Sequence, residues 1–407
     1  MTQYLIRPLD TQFHRTGLPF DAAQDVEASS QFPPSPRTVY GAIRAWVFSD
    51  KNIPFNGLPQ SGDPVFTTLG NDKQYGTLAV KGPVMCRLSK VTLAAFLPMP
   101  ADLVKLKNHR ELRLLRPDLE AKPGWDLAVS LYPVGTGSTE VVEANKNRFL
   151  NPNYLKEYLA GSLGPENRYN NVTVEQGDVF RRELRVGIAR EGATRTAKKG
   201  FLYRAPHHRL VHEQSDAEHV LWVEMDGHNG LLPEAGVIRL GGEGRPARIS
   251  IMLPDPKTWY SEPSAVRNAR DTVLKSGRFK LYLITPGVFG VEHKHCVALP
   301  DAVDPGSLSL DLEQAGGKRV TAQLVGACVA KPIYLGGWDI RSRREKPHQA
   351  CVPAGSVYFF CFHDWASIDQ EAAVAQVFRL FHGNTAIQKG DGNASKEGFG
   401  FTLVGGW

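Results

Sequence analysis

Two arginines and a tyrosine in residues 31–44 have the spacing to bind a phosphate chain. Ser35 is a good helix N-cap, and Pro36 suits the first helical position because it has no N–H to lose. Apolar residues then recur at helical spacing, at Val39, Ala42, Ile43, Trp46 and Val47. Arg37 and Arg44 fall on the opposite face, with Tyr40 at its edge. The pattern predicts an amphipathic helix whose N-terminus, including Ser35 and Thr38, could hold an anion. Solvated arginines on an ordinary surface helix are the alternative.

A second basic segment covers residues 181–210. Nine basic side chains stand there against two acidic ones, a net charge of +7, whereas the whole chain carries +6. Strand-like residues at 179–180 and 201–203 flank the segment, so it is predicted to be a β-hairpin with a long basic tip. Such a density of one charge favours a polyanion as the partner over a merely solubilising loop. The candidate RNA-binding residues in this segment are Arg182, Arg185, Arg190, Arg195, Lys198 and Lys199.

Two further stretches combine rings, glycines and cations. Trp338 is followed by Arg341 and Arg343, and aromatic stacking beside phosphate-binding cations is how single-stranded RNA is commonly held. A buried, structural Trp338 is equally compatible with the pattern. Near the C-terminus, Gly398-Phe399-Gly400 follows Lys396, and glycines permit close approach of backbone N–H groups to a phosphate.

Residues for catalysis or metal binding form no convincing set in the sequence. There is no P-loop and no nuclease-type His-Asp metal dyad, and the clusters at His293, His295 and Cys296 and at His207, His208 and His212 lack complete zinc spacing. The five cysteines form no C-x-x-C pair, so we expect buried thiols. We expect no cofactor, no metal and no enzymatic activity.

The composition is that of an ordinary globular protein, with 42% hydrophobic and 22% charged residues among 407. That length favours two domains, which we place at residues 1–215 and 216–407. The order strand, helix, strand, strand at the start predicts a ferredoxin-like βαββαβ unit, and the strand-rich second half is consistent with another. The predicted fold is therefore α+β, with two ferredoxin-like (RRM-like) domains, large insertions and a β-hairpin thumb at about residues 177–204. No apolar run of membrane-spanning length and no signal-peptide pattern occurs, so we expect a cytoplasmic protein.

The motifs taken together resemble the RAMP superfamily of CRISPR proteins, and within it the third subunit of the Cmr (type III-B) effector complex. The resemblance rests on Phe13-His14-Arg15-Thr16-Gly17-Leu18-Pro19-Phe20 after the first strand, and on Phe32-Pro33-Pro34-Ser35-Pro36 at the helix start. It continues through Val186-Gly187-Ile188 in the basic segment and through residues 331–339 and 352–358. Residues 1–50, 76–103, 177–204, 237–246, 331–360 and 390–407 are covered in all.

The resemblance implies a non-catalytic subunit that binds the 5′ handle of the CRISPR RNA in antiviral defence. Its partners would be the large cyclase- or polymerase-like subunit and the backbone-forming RAMP subunits, with no membrane. It implies RNA contacts from His14 and Arg15 and a thumb over the guide. Two alternatives stay open. One is a RAMP endoribonuclease that processes precursor CRISPR RNA with His14 as general base, and the other is a scaffold whose basic loop binds an acidic protein.

Overall fold

The computed structural model describes residues 1–17, 28–54, 62–71, 74–90, 92–107, 111–121, 131–137, 140–143, 147–212, 216–253, 258–290, 298–313, 319–339, 344–388 and 393–407, without the side chain of Lys199. The fold is mixed α/β with several antiparallel sheets. In chain order the strands and helices are β1 (Thr2–Pro8), α1 (Pro36–Asp50), α2 (Pro64–Leu69), β2 (Ala79–Ser89), β3 (Thr92–Pro98), β4 (Leu103–Leu106), β5 (Leu112–Leu114), β6 (Arg116–Pro117), β7 (Val134–Gly135), β8 (Val142–Glu143), β9 (Arg148–Leu150), α3 (Leu155–Leu159), α4 (Tyr169–Val172), β10 (Thr173–Glu175), α5 (Gln176–Val179), β11 (Phe180–Arg190), β12 (Ala197–Leu210), β13 (Ala217–Asp226), β14 (Ala235–Arg239), β15 (Pro246–Ile251), α6 (Pro263–Ser276), β16 (Arg278–Leu283), β17 (Ser309–Glu313), β18 (Arg319–Cys328), β19 (Ile333–Leu335), β20 (Trp338–Asp339), β21 (Arg344–Glu345), β22 (Gln349–Cys351), β23 (Val357–Phe362), α7 (Gln370–Phe381), α8 (Asn393–Glu397) and β24 (Thr402–Gly406).

The chain forms two compact units, and each is assembled from three separate segments. Unit 1 consists of Met1–Thr92, Gln176–Pro256 and Ile333–Ala350. Unit 2 consists of Leu93–Glu175, Lys257–Pro332 and Cys351–Trp407. This division differs from the single boundary expected near residue 215. The reason is strand pairing, because β13, which follows that position, pairs with both β1 and β2 of the first segment.

Unit 1 is built on an antiparallel sheet in the order β2-β13-β1-β15-β14, with α1 packed against β14 and β2. The helix starts where the sequence predicts, with the Ser35 side chain accepting a hydrogen bond from the backbone N–H of Thr38. Its apolar face is buried, and Trp46 meets Tyr4 of β1 edge to face with the ring centroids 6.3 Å apart. Val39 and Ile43 are completely buried, which contributes about 2 kcal/mol each to folding.

Unit 1 also contains two separate two-stranded structures, which carry several of the predicted site residues. Strands β11 and β12 form a long two-stranded antiparallel ribbon, which runs from Phe180 opposite Leu210 to Arg190 opposite Ala197. The expected β-hairpin is therefore present, and its strands extend almost to the tip. Strands β20 and β21 form a second small hairpin, in which Trp338 lies opposite Glu345.

Unit 2 is built on an antiparallel sheet in the order β17-β18-β23-β16-β24, with α6 and α7 packed on β24. The core of the sheet is aromatic, and Phe279 of β16 and Phe360 of β23 stack with their ring centroids 5.0 Å apart. Helix α6 was not expected from the sequence. Its buried positions are Ala265, Ala269 and Val273, and such small residues give only a weak hydrophobic stripe. The Glu262 side chain caps this helix by accepting from the N–H groups of Ser264 and Ala265.

Candidate nucleic-acid interface

The start of α1 presents one of the two predicted arginines at the surface of unit 1. Ser35 is nearly buried, and its Oγ lies 3.3 Å from the backbone N and 2.9 Å from the Oγ1 of Thr38, so both side chains serve the helix cap. Arg37 is half-buried and donates from Nη2 to Gln349 Oε1 over 3.1 Å. The guanidinium group of Arg37 is therefore held beside residues 333–350, which supply Trp338.

Tyr40 and Arg44 do not share that surface. Tyr40 is 1% exposed, and its ring stacks parallel to that of Tyr75 at 5.2 Å. Arg44 lies 5.3 Å from the Tyr75 ring and donates to the carbonyl oxygen of Asn71 over 3.0 Å. Residues after α1 fold back over this face of the helix and cover it. The expectation that Tyr40 and Arg44 are available to RNA therefore does not fit this arrangement.

The two residues of the predicted N-terminal loop site differ sharply in exposure. Arg15 is exposed and its Nη1 donates to Glu345 Oε1 over 2.8 Å, so it reaches the Trp338 hairpin. His14 is only 3% exposed, and neither ring nitrogen has a hydrogen-bond partner among the described residues. Burial, and secondarily the nearby His208, lowers the pKa of His14 to about 3. His14 is therefore a buried ring whose environment favours the neutral form.

A cluster of rings beneath the ribbon explains why His14 is buried. Phe32 lies 5.8 Å from His14, 4.8 Å from Phe180 and 5.4 Å from His208, measured between ring centroids. Burial lowers the pKa of His208 to about 4, with Arg182 as a lesser cause. In the sequence, His207 and His208 stand out only as part of an incomplete metal-like cluster with His212. Their strand register places them instead in the packing that fixes the ribbon to the N-terminal loop, where His208 pairs with Gln12.

The ribbon separates its charges by face because side chains alternate along a strand. Arg182 and Arg190 are exposed and share a face with three exposed apolar residues, of which Val186 is 65% exposed. Leu184 and Ile188 are the other two. Arg185 lies on the opposite face, where it binds Glu183 at 3.0 Å and Asp10 at 3.7 Å. Arg185 is therefore part of an ion-pair network on one face, and Arg182 and Arg190 are exposed on the other.

The ribbon tip carries the remaining predicted cations. Arg195 and Lys198 are exposed, and the Lys198 Nζ lies 4.2 Å from the centroid of the Phe201 ring. The side chain of Lys199 lies outside the described residues. A cation beside a partly exposed ring is a combination that suits a phosphate and its base.

Trp338 is exposed to 57%, which resolves the ambiguity between a buried and a surface ring. Its strand neighbour across the hairpin is Glu345, the residue bound by Arg15. Unit 1 thus brings Arg15, Arg37 and Trp338 together around one small hairpin. Arg341 and Arg343 lie outside the described residues.

The C-terminal glycines belong to unit 2, and their backbone groups form hydrogen bonds within that unit. Phe399 is completely buried, and the N–H groups of Gly398, Phe399 and Gly400 donate to Ser395, Ala394 and Pro286. The carbonyl of Gly398 accepts from Thr285 Oγ1 over 2.7 Å. The expected presentation of free N–H groups to a phosphate is therefore absent from this loop, because the backbone satisfies itself. Lys396 is partly exposed.

The described ranges also bear on metal binding and on membrane crossing. No group of three His, Cys, Asp or Glu side chains there is placed to bind a metal ion. His293, His295 and Cys296, which lack complete zinc spacing in the sequence, lie outside those ranges. Within the same ranges, no helix combines the length and the hydropathy required to cross a membrane.

Comparison with known proteins relates the chain to the CRISPR systems. Among solved structures it is similar to a chain of the type III-B Cmr-beta complex bound to cognate target RNA, with 14% identity, a TM-score of 0.44, and coverage of 88% of this chain and 86% of that chain. The same complex with AMPPnP gives 14% identity, a TM-score of 0.43 and the same coverage. A chain of the Csm3-Csm4 subcomplex of the type III-A interference complex gives 10% identity, a TM-score of 0.31 and coverage of 89% and 93%. No curated protein sequence matches the chain.

A family model identifies the family to which the chain belongs. The model for the CRISPR-associated protein Cas_Cmr3 matches residues 4–407. Because this match spans almost the whole sequence and both structural units, the protein belongs to the Cas_Cmr3 family of CRISPR-associated proteins.

Proposed function

We propose that this chain is a subunit of a type III-B (Cmr) RNA-guided effector complex that binds the 5′ handle of the CRISPR RNA. In antiviral defence it would bridge the large cyclase-like subunit to the backbone RAMP subunits. Family membership across residues 4–407 supports the assignment to the complex. The observation that carries RNA binding is the placement of exposed Arg15 and half-buried Arg37 beside the exposed ring of Trp338 on unit 1. Both units would be ferredoxin-like RAMP domains; in unit 1 the order β1-α1-α2-β2 contains the strand, helix and strand with which such a domain begins.

The proposed interface has two parts with different chemistry. Arg15 and Arg37 bind phosphates near the small hairpin, while Trp338 offers a ring face on which any base can stack. The ribbon contributes Arg182 and Arg190 together with the apolar side chain of Val186. Phosphate contacts there provide affinity, and the apolar groups fit against base faces rather than base edges.

We propose further that the chain is not itself a nuclease. A general base must come within about 3 Å of the proton it abstracts. His14, the residue considered for that role, is 3% exposed beneath the ribbon, so its imidazole is not presented at the surface to a ribose hydroxyl. No specific observation favours the endoribonuclease alternative.

Binding of a fluorescent handle RNA to single variants tests the proposal. Arg37→Ala, and separately Arg190, Arg195 and Lys198 together changed to Ala, should weaken binding while leaving the fold intact. Each lost phosphate contact should reduce the slope of log K against log salt by about 0.7, the value for single strands. Arg319→Ala is the matched control, because Arg319 is an exposed arginine of unit 2 outside the interface.

Two outcomes would contradict the proposal. The first is that neither interface variant changes the affinity for handle RNA or the slope of log K against log salt. The second is cleavage of repeat RNA by the purified chain that disappears in His14→Ala, since this would make the chain an endoribonuclease.

A further inference from the structure

A cleft in unit 2 has features of a ligand site. It is about 410 Å³ in volume and is lined by Lys105, Arg148, Arg168, Tyr169, Asn170 and Asn171. That volume lies within the range of about 300–1,000 Å³ that is typical of small-ligand pockets. Three of its lining residues are cations, two are carboxamides and one is a ring.

The wall of the cleft is held in place by its own contacts. Arg148 donates to Thr173 Oγ1 over 2.7 Å and to Glu175 Oε1 over 2.5 Å, and its guanidinium carbon lies 4.7 Å from the Tyr169 ring centroid. Lys105 binds Glu143 at 2.9 Å and lies 5.5 Å from the same ring. Arg148 and Lys105 are therefore neutralised locally, and they fix the orientation of Tyr169.

Arg168, in contrast, forms no ion pair with a described side chain. It is exposed, and no side chain in the described part of the chain pairs with its guanidinium group. The neighbouring carboxamides of Asn170 and Asn171 are also exposed and without a described partner. The cleft therefore combines an ion-paired cationic wall with one cation and two carboxamides that have no described partner.

The balance of charge indicates the kind of anion that would fit. The three cations Lys105, Arg148 and Arg168 face the two carboxylates that bind them, Glu143 and Glu175, which leaves one positive charge. One phosphodiester carries one negative charge. The two carboxamides can donate hydrogen bonds to the edge of an attached base and accept hydrogen bonds from it. A carboxylate of an acidic peptide could only accept hydrogen bonds from them.

We propose that this cleft binds one nucleotide of a single-stranded RNA, with its phosphodiester against Arg168 and its base edge at Asn170 and Asn171. The proposal rests on the proposed function, since it adds a second RNA contact to the same chain. It places that contact on a unit whose C-terminal glycine loop offers no free N–H groups.

The test uses the full chain and a fluorescein-labelled oligo(U) strand that lacks the handle sequence. Arg168→Ala should weaken binding roughly three- to tenfold, as expected for one exposed charged hydrogen-bonding group. It should also reduce the salt slope by about 0.7, whereas Arg168→Lys, which keeps the charge, should preserve that slope. Arg319→Ala should change neither quantity. A 4-thiouridine version of the strand, when irradiated, should crosslink to the peptide that contains Tyr169.

Several results would overturn the proposal. An unchanged affinity in Arg168→Ala together with no crosslink at residues 168–171 would do so, as would an equal loss in Arg319→Ala. A third contradictory result is Arg168-dependent binding of an oligo(Glu) peptide without binding of oligo(U). The cleft would then be a protein-docking site. Handle binding measured with Arg37→Ala keeps the two proposals separate. If Arg37→Ala weakens handle binding but Arg168→Ala does not weaken oligo(U) binding, the proposed function stands and only the nucleotide site in the cleft is refuted.

Discussion

Replacement of Asp102 by Asn tests the ion pair buried in unit 2. Lys280 Nζ lies 2.8 Å from Asp102 Oδ2, and each side chain is 1% exposed. Tyr158 donates its hydroxyl to Asp102 Oδ1 over 2.7 Å, and its ring centroid lies 3.7 Å from the same ammonium. Burial lowers the pKa of Lys280, and the carboxylate of Asp102 opposes that effect. The pair is thus completely removed from water but fully partnered.

The expected magnitude follows from what the variant leaves behind. The Asn side chain still has an oxygen for the Tyr158 hydroxyl, so that hydrogen bond is retained. The ammonium of Lys280 loses its counter-charge in a site that water does not reach, and removal of one partner from a buried pair costs about 3–5 kcal/mol. Adding Lys280→Met removes the isolated charge at similar volume, so the double variant should be more stable than Asp102→Asn alone.

The assay is urea unfolding of the purified chain, with hydrogen exchange of residues 278–283 as the local readout. The destabilisation should also depend on pH. Without Asp102 the pKa of folded Lys280 falls further below its ordinary value of 10.5, whereas the pKa in the unfolded chain does not change. The unfolded variant then binds more protons than the folded one, so the stability deficit should shrink as pH rises towards 10.5. A cost below about 1 kcal/mol, or a double variant less stable than the single one, would refute this reasoning.

Three other substitutions test features of the two units by urea unfolding. His14 has a pKa of about 3 when folded against an ordinary 6.5, so its contribution to stability is present above pH 6.5 and is lost as pH falls towards 3. His14→Phe should flatten that decline by up to about 1.4 kcal/mol per pH unit, and an unchanged decline would count against a buried neutral ring. Ser35→Ala should cost about 1 kcal/mol by removing the cap of α1, whereas Ser35→Asp should restore most of it; equal stability of all three proteins would exclude a capping role. Gly355→Ala should cost about 1–3 kcal/mol, because φ is 94° and a Cβ would lie 2.4 Å from the Met99 carbonyl oxygen. Gly177→Ala, in open space, is its control, and similar costs at both positions would contradict the steric argument.

Features that depend on neighbours in sequence could be predicted. The start of α1 follows from Ser35 and Pro36, because capping involves residues only three positions apart. The ribbon of β11 and β12 could be predicted as a hairpin because strand-like residues flank one basic segment. The motifs around residues 13–20 and 32–36 also pointed to the family that the model for Cas_Cmr3 identifies.

The exposure of individual side chains could not be predicted, because it depends on what packs against them from elsewhere in the chain. Periodicity placed Arg44 and Tyr40 on the polar side of α1, yet Tyr75 covers that side. His14 looked like a surface group but lies under Phe32 and His208. Trp338 could have been buried or exposed on sequence grounds, and the hairpin geometry of unit 1 exposes it.

Long-range pairing was equally invisible in the sequence. Asp102 and Lys280 are 178 residues apart, and the sequence around each residue contains no pattern that identifies the other as its partner. The interleaving of the two units has the same origin, since β13 completes the first sheet only through pairing with β1 and β2. The sequence by itself determined the caps, the ribbon and the family. Only the tertiary structure decided which polar groups remain at the surface, because burial depends on contacts between segments whose pairing no local pattern specifies.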